Sequence, residues 1–270
     1  MPHSNSTRRL LTRLATAALL TFASHTARAV DYTDLWWVPA ESGWGVNLVQ
    51  SDTFLFVTFF IYGPDKKPTW YTAQMTQDAS GNFNGALYAT TGPYYGSSWN
   101  RQDVTLTQVG TGSFRPTSAY TGTLTYTATT PPTMAATVTK SIQRQSLTPI
   151  TLAGDYVGAQ AGTYSGCTNA GDNTSYRDAF DLRVTQFTNG SATFEFNYRS
   201  GLSCTLTGTL VQLGQLFTIP AANYSCSGGL DTSASMSEIK ATALGIEGRF
   251  SAGSVGGGCR EDATFGGPLS

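Results

Sequence analysis

Histidine is almost missing from this chain: there are two, His3 and His25, and both fall in the first thirty residues. Beyond them no imidazole remains to activate a serine or cysteine, to ligate a metal, or to switch charge near neutral pH. Charge is scarce too, at 12% of residues, and Lys66-Lys67 is the only adjacent basic pair past residue 30. Without basic clusters, neither nucleic acid nor anionic lipid is an expected partner. Serine hydrolase chemistry lacks a G-x-S-x-G element. Gly256-Gly257-Gly258 has no strand–helix context and reads as a flexible turn, not a phosphate loop. Asp172-Asn173 and Asp178…Asp181 match no calcium-loop pattern. No cofactor and no metal site are therefore expected. Past residue 30 no segment is long and apolar enough for a transmembrane helix.

The first 29 residues read as a signal peptide. Arg8, Arg9 and Arg13 form a basic start, Leu14 to Ala23 an apolar run too short to span a bilayer, and Ala27-Arg28-Ala29 a cleavage site. Cleavage after Ala29 removes four arginines and no acid, leaving 12 basic against 17 acidic side chains, a formal charge of −5. The expectation is an exported protein, periplasmic or extracellular. The four cysteines, Cys167, Cys204, Cys226 and Cys259, are even in number and contain no C-x-x-C pair, so they read as two disulfides. Of three pairings, Cys204–Cys226 and Cys167–Cys259 are preferred: the first can join neighbouring strands, and the second would tie the start of its domain to the last strand.

The remainder reads as all-β. Tryptophan stops at residue 99 and cysteine starts at 167, which separates a Trp-rich domain, 30–147, from a disulfide-containing domain, 148–270. The boundary lies near Ser146-Leu147-Thr148-Pro149. Short alternating runs recur through both halves, with connections rich in Gly, Asn and Ser. Phe54 to Tyr62 is nearly continuous in apolar residues and reads as a strand buried on both sides. Thr-x-Thr alternation, as in Thr121 to Thr127, reads as β-branched surface over an apolar core. Two antiparallel meander domains follow, built as small barrels or curled sandwiches. An immunoglobulin-like sandwich is the fallback, although no tryptophan lies between the paired cysteines.

One motif is distinctive: Leu35-Trp36-Trp37-Val38-Pro39-Ala40-Glu41-Ser42-Gly43-Trp44-Gly45. With Tyr62-Gly63-Pro64-Asp65, Pro68-Thr69-Trp70-Tyr71, Thr91-Gly92-Pro93 and Val138 to Gln145, it resembles a family of exported proteobacterial proteins of uncharacterised function. Those proteins carry a W-W-x-P-x-E-S-G-W-G stretch. The resemblance spans nearly all of residues 31–147, and it implies export and a β fold but no activity and no catalytic residue. Gly43 and Gly45 would clear one strand face, and Trp44 would project from the other toward core or pocket. The plainer reading is that the motif is a fold signature closing a barrel end.

Exposed rings beside amides and carboxylates also suit sugar binding. Trp36, Trp37, Glu41, Trp44, Trp70, Tyr71, Tyr94, Tyr95 and Trp99 form the candidate ligand-binding set. The Tyr94-Tyr95…Trp99 group is preferred because Gly92, Pro93 and Gly96 place it in a connection, where rings are hard to bury. The expected function is a non-enzymatic binding or surface module for a glycan, a small apolar ligand or an envelope protein. A carboxylate-dependent hydrolase such as a glycosidase is the alternative, with Glu41 beside Asp34, Asp52 or Asp65. A purely structural envelope component is the third reading.

Overall fold

The computed structural model describes residues 30–270, so the expected signal segment 1–29 lies outside the described residues. Tyr32–Ser270 form one compact unit, and within it period-two alternation builds two antiparallel sheets. The first contains β1 (Asp34–Trp37), β2 (Gly45–Ser51), β3 (Phe54–Tyr62), β4 (Pro68–Gln77), β5 (Phe83–Thr91), β6 (Thr105–Pro116), β7 (Thr121–Ala128) and β8 (Ala136–Arg144). Each strand pairs with the next, and β1 closes on β8 through Trp36–Arg144 and Trp37–Gln143, giving a closed eight-stranded barrel. Its interior is filled by side chains. Trp36 packs edge-on against Phe114, and Leu55, Val57, Phe59, Met75 and Phe83 are buried beside them.

The second sheet contains β9 (Gly154–Ser165), β10 (Ser175–Gln186), β11 (Ser191–Tyr198), β12 (Ser203–Thr209), β13 (Val211–Leu213), β14 (Leu216–Cys226), β15 (Asp231–Thr242), β16 (Gly245–Val255) and β17 (Cys259–Pro268). β9 pairs with β17, and β12 pairs with β14, so this sheet also returns on itself. The short β13 continues the edge of β12 along β14. The fold is therefore all-β, as expected, with two β-sheet domains. Both preferred disulfides are present: Cys167–Cys259 and Cys204–Cys226, the second joining residues directly opposite on β12 and β14.

Two local expectations change. β3 is not buried on both sides: Leu55, Val57 and Phe59 point inward, while Phe54, Phe60 and Tyr62 are exposed on the outer face. Continuous apolarity here reflects a strand with two apolar faces, only one of which has a core to enter. Gly43 lies outside the strand, in the preceding turn at φ 109°, a conformation that glycine adopts without steric cost. The Thr-x-Thr reading holds. Thr125 and Thr139, and Thr127 and Thr137, join their hydroxyls across β7 and β8 at 3.0 Å.

Because strands alternate in direction, each barrel gathers its connections at two ends. One end of the first barrel meets the second. There Arg144 is buried against the Trp36 ring, donates from Nε to the Ala119 carbonyl at 2.8 Å, and pairs with Asp34 at 3.1 Å. The same Asp34 oxygen accepts the Gln215 backbone N–H at 3.0 Å. Tyr120 donates its hydroxyl to the Phe217 carbonyl and accepts the Glu238 N–H. The connection 145–153 is also held down: Gln186 Oε1 accepts the Leu152 N–H at 2.6 Å, and Leu152 is buried.

Candidate functional site

The sequence-predicted residues divide into three groups once folded. Trp36 and Tyr71 belong to the interior of the first barrel. Trp36 is 0% exposed, with its Nε1–H donated to the Tyr32 carbonyl at 3.0 Å. Tyr71 is buried beside Tyr126, and burial raises its hydroxyl pKa. Neither offers a ring to an external ligand, because inward positions of a small barrel are its core.

The second group lies in the connections at the end of the first barrel away from the second. The β1–β2, β3–β4, β5–β6 and β7–β8 connections all collect there. Trp44 donates Nε1–H to Glu41 Oε2 at 3.1 Å, and Lys140 reaches both Glu41 oxygens at 2.9 and 2.7 Å. The Lys140 ammonium stands 5.8 Å from the Trp44 ring centre. Together they clasp the E-S-G-W-G turn to β8. The Lys140 hydrogen bond is the main cause that holds the Glu41 carboxyl below its ordinary pKa. A glycosidase acid needs the opposite shift and a second carboxylate nearby; the partner of Glu41 is a cation. Tyr94, Tyr95 and Trp99 are strongly exposed in the β5–β6 connection, as their spacing predicts. Among the described residues these three rings contact no other ring.

The third group stands on the outer wall. Phe60 and Trp70 are directly opposite on β3 and β4, 52% and 57% exposed, with ring centres 6.4 Å apart and planes within 29°. Gly45 opposes Phe60 from β2, and Trp37 lies one residue beyond the Trp36–Val46 pair on β1. The row therefore runs Trp37, Gly45, Phe60, Trp70, with a side-chain gap at the glycine. The neighbouring row on the same face is Asn47, Thr58, Thr72 and Tyr88, each opposite the next. The two rows are about 7 Å apart, two residues along each strand. One presents rings, and the other presents an amide, two hydroxyls and a phenol, with no charge in either.

No family model matches the chain, and no curated protein matches it. Among solved structures, a tryptophan-to-alanine mutant of the vaccine antigen transferrin binding protein B from Haemophilus parasuis aligns over 86% of this chain and 66% of its own. The identity is 13% and the TM-score 0.31. A double mutant of the same antigen aligns over 84% of this chain and 60% of its own, at 11% identity and TM-score 0.32. The chain thus spans less than two thirds of the length of either.

Sequence reasoning misses two things. Phe60 reads as core because its neighbours are apolar, although period-two counting from Phe59 turns it outward. A polar cluster inside the second barrel, around Glu261 and Gln160, also escapes it. Counting alternately from Cys259 through Glu261, Ala263 and Phe265 would place that carboxylate inside.

Proposed function

We propose that this is an exported, non-enzymatic binding module that takes a neutral glycan on the outer face of the first barrel. The observation that carries the reading is the paired row: Phe60 and Trp70 stacked and exposed, beside Asn47, Thr58, Thr72 and Tyr88. A sugar ring has an apolar face and a hydroxyl rim, and this surface offers aromatic faces next to uncharged hydrogen-bonding groups. The rows are held by barrel strands, so the rings are positioned before ligand arrives and little ordering cost remains. The Tyr94-Tyr95…Trp99 connection, preferred on sequence grounds, lacks that support.

Export is inferred from the signal-like N-terminus and from two disulfides, which persist in oxidising compartments. Membership of the exported proteobacterial family rests on the motif alone. In this reading the motif serves the structure, since Trp36 plugs the barrel while Glu41, Trp44 and Lys140 clasp its end.

The test is calorimetric titration of a panel of neutral oligosaccharides into the native protein, Trp70→Ala, Phe60→Ala and Trp99→Ala. Loss of a stacked ring costs about 1–3 kcal/mol, the scale of ring stacking in other ligand complexes. Trp70→Ala and Phe60→Ala are therefore expected to weaken binding by about fivefold to more than a hundredfold, and Trp99→Ala to leave it unchanged. Retained affinity in both row variants would overturn the assignment.

A further inference from the structure

The second barrel carries a cavity that the glycan reading does not use. It lies at the end away from the first barrel, where the β9–β10, β11–β12, β14–β15 and β16–β17 connections gather, and measures about 640 Å³. Glu261 forms part of its lining although the residue is only 4% exposed. Its Oε1 accepts from the Tyr176 hydroxyl and from Gln160 Nε2 at 3.1 Å, and Gln160 Oε1 accepts the Tyr198 hydroxyl at 2.7 Å. Among the described residues no hydrogen bond reaches Glu261 Oε2, and no buried polar side-chain atom is left unpaired. That oxygen therefore faces the cavity.

The walls around this carboxylate are aromatic. Tyr164, Tyr176, Tyr198 and Tyr224 line the same space, and Tyr164 stacks on Tyr176 with centres 5.0 Å apart. Room for the Tyr176 ring comes from Gly162, where an added Cβ would stand 2.7 Å from it. The tyrosines stay neutral: burial, with Glu261 beside them, raises the Tyr164 hydroxyl to about 12 and pushes those of Tyr176 and Tyr224 higher still. The rim adds Asp172 and Asp178 against a single cation, Arg177, so the lining is acidic. Both disulfides brace it through Cys226 and Cys259.

We propose that this cavity binds a small organic cation, an alkylammonium or methylated ammonium, with Glu261 as counter-charge and the tyrosine faces as its cage. Neutral rings and one buried carboxylate attract a diffuse positive charge and reject a neutral molecule of the same shape. A bare metal ion does not fit: among the described residues no three His, Cys, Asp or Glu side chains converge as ligands. A phosphate or carboxylate ligand would meet like charge.

The experiment is calorimetric titration of the full, disulfide-bonded chain with choline and with its uncharged isostere, 3,3-dimethylbutan-1-ol. Choline is expected to bind saturably at one site and the isostere at least about tenfold more weakly, the margin a desolvated cation–π site supplies. Glu261→Gln is expected to lose choline binding by a similar factor. Arg177→Glu, an exposed rim change, is expected to tighten it several-fold through charge alone. That variant decides the matter if Glu261→Gln does not fold. Failure of folded native protein to bind choline, equal binding of the isostere, or no tightening in Arg177→Glu would each overturn the proposal. Trp37 and Trp70 belong to the other barrel, so this outcome is independent of the glycan test.

Discussion

The two disulfides close loops of very different length, and this ranks them. Cys167–Cys259 spans 92 residues, nearly the whole second barrel, whereas Cys204–Cys226 spans 22. Cross-linking lowers the entropy of the unfolded chain with the logarithm of loop length, so at 25 °C the long link is worth about 4.6 kcal/mol and the short one about 3.4. The variants are Cys167→Ala with Cys259→Ala, and Cys204→Ala with Cys226→Ala. Alanine is preferred to serine because Cys204 and Cys259 are buried, where a hydroxyl without a partner is costly. Urea denaturation followed by far-UV circular dichroism measures each loss. The 92-residue variant should be the less stable by about 1 kcal/mol, with each variant at least about 2 kcal/mol below the native protein. Equal losses, or the opposite order, would refute loop closure as the governing effect and point to packing around the bonds instead.

Three further outcomes are expected. Asp34→Ala removes one carboxylate from the buried Arg144 guanidinium and also the acceptor of the Gln215 N–H. Urea denaturation should show a loss of about 3–5 kcal/mol, the usual cost of breaking a buried ion pair by removing one side. Glu41 has a lowered pKa, so its ion pair contributes above the ordinary carboxylate pKa and fades as pH falls through the lowered value. Tryptophan fluorescence should titrate in that acidic window, and Glu41→Gln should abolish the change. Glu261 behaves oppositely, because burial raises its pKa. Its contribution is complete below the ordinary carboxylate pKa and is lost as pH rises through the raised value; Glu261→Gln should flatten that fall in a series of melting temperatures.

Much of the fold was legible because period-two alternation and glycine-rich turns are local signals. The Thr121–Thr127 alternation named both faces of β7 correctly, and the even cysteine count, with neighbouring-strand logic, led to the pairings observed. Barrel closure is not local: it depends on β1 meeting β8 and β9 meeting β17, pairings separated by about a hundred residues. The candidate site was only partly legible for the same reason. Trp36 and Trp37 are adjacent in sequence, yet one fills a core and the other faces outward, and only the register says which. Phe60 meets Trp70 across a hairpin, and the polar row beside them draws on four strands. Glu261 and Gln160 are 101 residues apart and join only through β9–β17 pairing.

The most direct test of the binding account is an NMR titration that follows the indole N–H signals of the five tryptophans as a bound neutral oligosaccharide is added. The account predicts saturable shifts at Trp70 and Trp37, with Trp36 and Trp44 unmoved because their N–H groups are held by the Tyr32 carbonyl and Glu41. Shifts confined to Trp99, or none at Trp70 while binding is saturated, would contradict it.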